Sequence, residues 1–176
     1  VENVATFDTE FTFSEVVVTE AGAIVNVTKS LTTNKLNLTG SNARLNLTGV
    51  DAVLNLVGGN SSLIYGSSRI VLANRTATFK TIYDEILDNV IPSGDFVENY
   101  KVSYKNGKYQ LVGKYVAQIG DEPYETLAKA LEEVPSNGTI ELLWEEGNDP
   151  IVMAGILTGK NATIKQAVST DEIDVD

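Results

Sequence analysis

Two residue types are missing altogether: the 176-residue chain contains no cysteine and no histidine. Without cysteine there is no disulfide, no iron–sulfur cluster and no thiolate zinc site. Without histidine there is no His-based triad, no His general base and no His-ligated metal. Aromatics are scarce at 7%, so Val, Leu and Ile must fill the interior, which favours strands over helices. Positive charge is scarce too: 13 Lys and Arg stand against 24 Asp and Glu, for a net charge of −11. The first Lys is Lys29. Such a surface repels a phosphate backbone and argues against nucleic acid as a partner. No apolar run approaches the roughly 18 residues of a membrane-spanning helix, so membrane insertion is not expected. No signal peptide is visible, although a chain starting at Val1 is compatible with a processed precursor.

What is present is a repeat. In KLNLTGSNARLNLTGVDAVLNLVGG (35–59), Leu36-Asn37-Leu38-Thr39-Gly40 returns nine residues later as Leu45-Asn46-Leu47-Thr48-Gly49, and again as Leu54-Asn55-Leu56-Val57-Gly58. The two Leu of each unit lie two apart and share one side of a strand, while the Asn between them points away. The glycines read as sharp turns at positive φ. A unit this short cannot close a core by itself, so neighbours must stack. Either a β-solenoid, with each unit on one face of a coil, or an antiparallel β-meander satisfies the pattern. The loops lack the Asn-Gly signal of a tight hairpin, and the solenoid is favoured.

Other segments read as follows. Ala5 to Phe13 alternates as one half-buried strand with Phe7, Thr9, Phe11 and Phe13 on one face. Val16–Val18 and Ile24–Val27 are further strands. Ile82, Ile86 and Val90 at helical spacing, closed by Pro92-Ser93-Gly94, predict a short helix. YKVSYKNGKYQLVG around Asn106-Gly107 predicts a type I′ hairpin, with Val102 and Tyr104 facing Tyr109 and Leu111. Val116–Ile119 predicts a strand, Tyr124 to Val134 an amphipathic helix with Pro123 in its first turn, and Thr139–Leu143 another strand. Short strands are expected between Ile151 and Val168. The fold class is therefore mainly β: a short-repeat β-solenoid or β-meander, then a small α+β unit with one helix. The expected divisions are 1–80 for the repeats, 81–114 for a short helix, linker and hairpin, and 115–176 for a capping unit.

The stretch VAQIGDEPYETLAKALEEVPSNGTIELL resembles a unit of large surface proteins of gut-type bacteria: strand, Ile-Gly-Asp, Tyr-x-Thr-Leu, Ala-rich helix, Gly-Thr-Ile, Leu-rich strand. There the unit is similar to the opening cap of a right-handed parallel β-helix of the pectin-lyase-like type. IPSGDFVENYKVSYKNGKYQLVGK resembles the linker and hairpin that precede it, so the likeness covers residues 91–143. Ser136-Asn137-Gly138-Thr139 departs from the Gly-Asp-Gly-Asp-Thr usual at that turn, and little chain follows Gly147. The resemblance implies a capped fragment or small relative, in a bacterial surface protein or in a phage of such bacteria, and not a complete lyase.

No catalytic residue and no cofactor is expected. Glu141, Glu145, Glu146 and Asp149 are close in sequence, but an acidic solvated loop accounts for them. Asp171, Glu172, Asp174 and Asp176 offer oxygen ligands without the turn glycine of a calcium loop. Seven Asn-x-Ser/Thr sequons, at Asn26, Asn37, Asn46, Asn60, Asn74, Asn137 and Asn161, come partly with the repeat itself. The surface that draws interest is the outward side of the repeat. If units stack directly, Asn37, Asn46 and Asn55 form a ladder, with Thr39 and Thr48 in a row beside it. Expected partners are other copies of the chain, a host surface or capsid protein, or a glycan, although no aromatic platform beyond Trp144 suggests sugar binding. The expectation is a non-enzymatic structural or adhesive module at a bacterial cell surface. An oligomeric phage decoration or fibre protein is the alternative, and a carbohydrate-binding or carbohydrate-active β-helix the third reading.

Overall fold

The computed structural model describes residues 3–58, 63–64, 66–84, 87–143, 151 and 161–166. The chain divides into two compact units, Val1–Val112 and Gly113–Asp176.

The first unit is a three-faced β-solenoid. Strands β1 (Val4–Phe7), β2 (Phe11–Phe13) and β3 (Val16–Val18) enter three different sheets. The circuit repeats with β4 (Ile24–Val27), β5 (Ser30–Thr33) and β6 (Leu36–Leu38), then with β7 (Arg44–Leu47), β8 (Val53–Leu56) and β9 (Leu63–Ile64). A further circuit supplies β10 (Arg69–Leu72) and β11 (Thr78–Lys80), and β12 (Val90–Pro92) ends the first sheet. Strands of successive coils pair in parallel: Val25 lies beside Leu45, Leu31 beside Leu54, and Val16 beside Leu36.

The nine-residue unit is thus one side of a triangle. Its three copies are β6, β7 and β8, which lie on three successive faces rather than one above another. Their leucines meet inside: Leu36, Leu38, Leu45, Leu47, Leu54 and Leu56 belong to one core with Val27, Leu31, Ile70, Leu72 and Phe79. Removing each of these side chains from water contributes about 1.5–3 kcal/mol, so aliphatic residues supply most of the core.

The corners follow a second rule. Ala23, Ala43 and Ala52 are buried, and their amides donate to the carbonyls of Glu20, Gly40 and Gly49, closing four-residue turns. The residue before each alanine (Gly22, Asn42, Asp51) takes positive φ, a conformation cheapest for Gly, Asn and Asp. The repeat glycines Gly40, Gly49 and Gly58 do not adopt positive φ. They are required for a different reason. A Cβ on Gly40, Gly49 or Gly58 would lie 2.1, 1.9 or 1.6 Å from the carbonyl oxygen of Glu20, Thr28 or Asn34 in the preceding coil. The turn expected at these glycines is a close backbone crossing.

Two other expectations are corrected. Ala5 to Phe13 is not one strand: the chain rounds a corner at Asp8-Thr9-Glu10, so Phe7 and Phe11 belong to different sheets. Both still pack against the core, and their rings lie within 5.1–5.7 Å of each other and of Phe13. The helix expected from Ile82 is, among the described residues, only a 3-10 turn at Leu87–Asn89. Ile82 is 77% exposed, and Val90 enters β12 beside Ile70. Ile86, the middle residue of that spacing, lies outside the described residues.

The hairpin stands as read: β13 (Tyr100–Lys105) and β14 (Lys108–Gly113) flank Asn106 and Gly107, with φ of 52° and 75°. It belongs with the coils, because β14 pairs antiparallel with β11 and completes a sheet of order β13-β14-β11-β8-β5-β2. Tyr109 stacks on Phe79 at 5.4 Å and meets Tyr104 at 4.7 Å. The hydroxyls of Tyr104, Tyr109 and Tyr83 donate to the carbonyls of Thr81, Tyr83 and Gly58. These rings cover the apolar interior at that end while their polar tips find partners.

In the second unit, β15 (Ala117–Ile119), β16 (Glu122–Tyr124), β17 (Gly138–Leu142) and β18 (Ala162–Gln166) form a sheet of order β16-β15-β17-β18. The helix α1 (Leu127–Glu133) packs Leu127 and Ala130 onto Ala117, Tyr124 and Ile140. It begins later than expected, capped by the Thr126 hydroxyl, which accepts from the Lys129 amide. Pro123 lies in β16, an edge strand where a missing N–H is tolerated. Of the strands expected after Ile151, β18 is described and pairs in parallel with β17. The rest of that stretch lies outside the described residues.

Candidate functional site

Because the coil repeats after about twenty residues, the outward side chains of the repeat do not stack on one another. Asn37 on β6 lies between Val17 and Leu63, Asn46 on β7 between Asn26 and Val71, and Asn55 on β8 between Thr32 and Lys80. The ladder of Asn37, Asn46 and Asn55 is therefore not formed, nor is a row of Thr39 with Thr48. The nine-residue spacing advances the chain by one face, and only a full circuit returns a residue to the same row.

A short ladder does exist, with partners one coil apart. Asn46 Nδ2 donates to Asn26 Oδ1 at 3.0 Å. Next to it, the Thr28 hydroxyl donates to the Phe7 carbonyl at 3.3 Å and the Thr48 hydroxyl to the Val27 carbonyl at 3.5 Å. Sequence reasoning missed Asn26 and Thr28, although the signal is present: Val25-Asn26-Val27-Thr28 matches Leu45-Asn46-Leu47-Thr48 across 20 residues. Asn37 is engaged differently. Its Nδ2 donates to Glu15 Oε1 at 2.8 Å, and Glu15 also holds the Lys35 ammonium at 2.8 Å. Asn37 Oδ1 is buried and unpartnered.

The amides of the ladder thus tie coil to coil. Asn46→Ala is expected to lower stability by about 1 kcal/mol, and Asn26→Ala by a similar amount. Since both remove the same bond, the double variant should lose less than the sum, a coupling that urea denaturation of the four proteins measures. Asn55→Ala should stay within about 0.5 kcal/mol of the parent.

The first coil is the least covered part of this unit. Strands β1, β2 and β3 each end their sheet, so three strand edges lack a neighbour among the described residues. Val4 and Val17 are 51% and 54% exposed, and Phe13 stands at 36%. Asp8, Glu10, Glu15 and Glu20 surround this end, all exposed, and no Lys or Arg precedes Lys29. A cleft of about 430 Å³ opens here between Asn3–Ala5 and Val17–Glu20.

In the second unit, the outer face of the sheet carries Gln118, Glu141 and Lys165 in one row. The Lys165 ammonium lies 2.6 Å from Glu141 Oε1, and Gln118 Nε2 donates to Glu141 Oε2 at 2.7 Å. These two bonds hold the Glu141 carboxyl below the usual carboxylate range. Glu145, Glu146 and Asp149, the other members of the expected acidic loop, lie outside the described residues, as do Asp171, Glu172, Asp174 and Asp176. Burial, with Glu133 beside it, raises the Tyr124 phenol. Among the sequons, Asn137 and Asn161 are exposed, Asn26, Asn37, Asn46 and Asn74 are half-buried, and Asn60 lies outside the described residues. Among the described residues no group of three or more acidic side chains is arranged to hold a metal ion, and no helix is long and apolar enough to cross a membrane.

Comparison with protein-family models, with curated proteins and with solved structures gave no match.

Proposed function

We propose that this chain is a non-enzymatic structural module displayed on the exterior of a bacterial cell, where its coils act as a stiff spacer or adhesive element. The observation that carries this reading is the solenoid interior: leucines from every face enter one dry core, and outward amides and hydroxyls are spent on bonds between coils. Such a stack resists local opening, because each inner strand is held by the coil on either side. The second unit supports the same reading. Its order of strand pair, helix and strand, with a parallel strand laid beside the last, is similar to the opening cap of a pectin-lyase-like β-helix. The net charge of −11 keeps copies dispersed at long range.

A phage fibre or decoration protein is the second reading, favoured by the open edges of the first coil, which invite pairing. Antibody labelling of intact cells of the encoding organism, and of phage particles it releases, separates the two. Label along the cell envelope is the expected outcome. Label on particles transfers the function to the virion, and a signal seen only after permeabilising cells overturns both.

A further inference from the structure

The first coil leaves part of the solenoid interior uncovered. Its inward residues are Ala5, Phe7, Phe11, Phe13, Val16 and Val18, each in register with a buried residue of the second coil. Burial falls away along these rows. Leu45 and Val25 are buried, and Ala5 in the same row is exposed; Thr33 is fully buried, and Phe13 beside it is 36% exposed. The backbone is open there as well. In a parallel ladder, alternate residues of a strand give their amide and carbonyl to one neighbour. The Asn3 and Phe7 carbonyls accept from Ile24 and Thr28, the Val16 amide donates to Lys35, and the Val18 carbonyl accepts from Thr39. The residues between them, Val4 and Thr6 on β1 and Val17 on β3, therefore direct their amides and carbonyls away from the second coil. All three are exposed. The cleft of about 430 Å³ lies between these two edges, with Val4 and Ala5 on one side and Val17–Glu20 on the other. Carboxylates mark the corners: Asp8 and Glu10 after β1, Glu15 before β3 and Glu20 after it, all exposed. Lys29 and Lys35 belong to the second coil and Arg44 to the third, and Lys35 is already bonded to Glu15 at 2.8 Å.

We infer that this end is a docking face for an extended, Lys- or Arg-bearing segment of a different protein, which lies in the cleft and adds to the edge of β3 as a further strand. The inference rests on the reading of the protein as a structural module and gives that module a partner. Main-chain bonds to Val17 supply the attachment, and covering Val4 and Val17, now 51% and 54% exposed, adds apolar contact. Charge supplies the choice of partner. Basic side chains at the two ends of the segment meet Glu15 and Glu20, which stand at the two ends of β3. The first coil already joins the second by this rule, since Glu15 of one holds Lys35 of the next. A second copy offering the same end is disfavoured, because it brings carboxylates against carboxylates. Charged corners of this kind are also what keeps an open strand edge from pairing with itself.

The test is an amide NMR titration of the full, isotope-labelled 176-residue chain with the end-blocked peptide Lys-Val-Thr-Val-Thr-Lys. The expected result is a saturable shift of the Val4, Thr6 and Val17 signals, with a Kd of about 1 mM or tighter. A counterpart peptide with Glu in place of both Lys should bind about tenfold more weakly, and the difference should shrink in about 1 M salt. Val17→Pro removes the amide on the open side and leaves the bonds to β6 in place, because proline is tolerated on a sheet edge. It should weaken the Lys peptide by about tenfold or more, whereas Val17→Ala, which keeps the amide, should stay within about threefold of the parent. Glu20→Gln should weaken it by about threefold. Unchanged amide signals from the later coils verify that each variant is folded. No shift up to about 5 mM peptide overturns the inference, as do shifts confined to other parts of the chain. So do equal affinities for the two peptides, and a Val17→Pro chain that binds as the parent does. Shifts of the same amides on raising the concentration of the chain alone make the occupant another copy and overturn it too. None of these outcomes bears on where the protein is displayed, which the labelling experiment reads separately.

Discussion

Replacing Phe79 with alanine is expected to reduce the stability of the first unit by about 3–5 kcal/mol. Phe79 is fully buried and pairs across its sheet with Leu54 on one side and Tyr109 on the other. Its ring stacks on that of Tyr109 at 5.4 Å, so truncation removes contacts to the preceding coil and to the hairpin. Strand backbones on both sides fix the site, and little collapse can fill the space left behind. Urea denaturation followed by circular dichroism measures the loss. Tyr109→Phe provides the comparison. It keeps the ring stack and removes only the hydroxyl that donates to the Tyr83 carbonyl at 2.8 Å, so it should cost about 1 kcal/mol. A Phe79→Ala loss below about 1 kcal/mol would mean that hairpin and coils do not share one interior.

Gly49→Ala is the second large effect, and it tests the crossing of successive coils. The added methyl would sit 1.9 Å from the Thr28 carbonyl oxygen and 2.6 Å from its carbon. Both atoms are backbone, so no side-chain rotation relieves the overlap, and the coils must part locally. A loss of about 3 kcal/mol or more is expected, at the upper end of overpacking effects. Gly94→Ala is the control: nothing lies within 4 Å of a Cβ there, and its φ is not left-handed. That change should be neutral or slightly stabilising, because alanine restricts the unfolded chain. If Gly49→Ala is as mild as Gly94→Ala in thermal unfolding, the close approach of the coils is wrong.

The leucine pairs show how much is legible in advance. Leu36 and Leu38, Leu45 and Leu47, and Leu54 and Leu56 alternate with polar residues, and alternation is a local property that a strand expresses wherever it sits. Asn106-Gly107 is similar: two residues that tolerate positive φ define their hairpin without outside help. The helix α1 starts later than its residues suggest. Pro123 and Tyr124 obey helix rules in isolation, yet the pairing of Ala117 with Tyr124 draws them into a strand. Strands β5, β11 and β12 have no clear signature of their own. Ser30–Thr33 and Thr78–Lys80 are short and polar in part, and become strands because neighbouring coils offer a full row of backbone partners.

The row occupied by each outward residue is the largest gap. A nine-residue repeat is compatible with strands stacked in one sheet or with strands placed on successive faces, and only the angle of each corner decides between them. That angle comes from Gly22, Asn42 and Asp51 at positive φ and from the small buried alanines that follow. The role of the repeat glycines is hidden in the sequence for the same reason: what excludes a methyl from Gly49 is the Thr28 carbonyl oxygen of the preceding coil.

By itself, then, the sequence determined the local matters: alternating strands, a leucine interior, one hairpin turn, a chain without thiol or imidazole chemistry, and an excess of acid with no Lys or Arg before Lys29. These depend on residue type and near neighbours. Only the tertiary structure decided that Asn46 meets Asn26 and not Asn37, that the hairpin belongs to the coils, and that the repeat glycines lie where successive coils cross. Each of those is a relation between residues brought together by completing a circuit, and the geometry of that circuit is set by packing between coils that no short window contains.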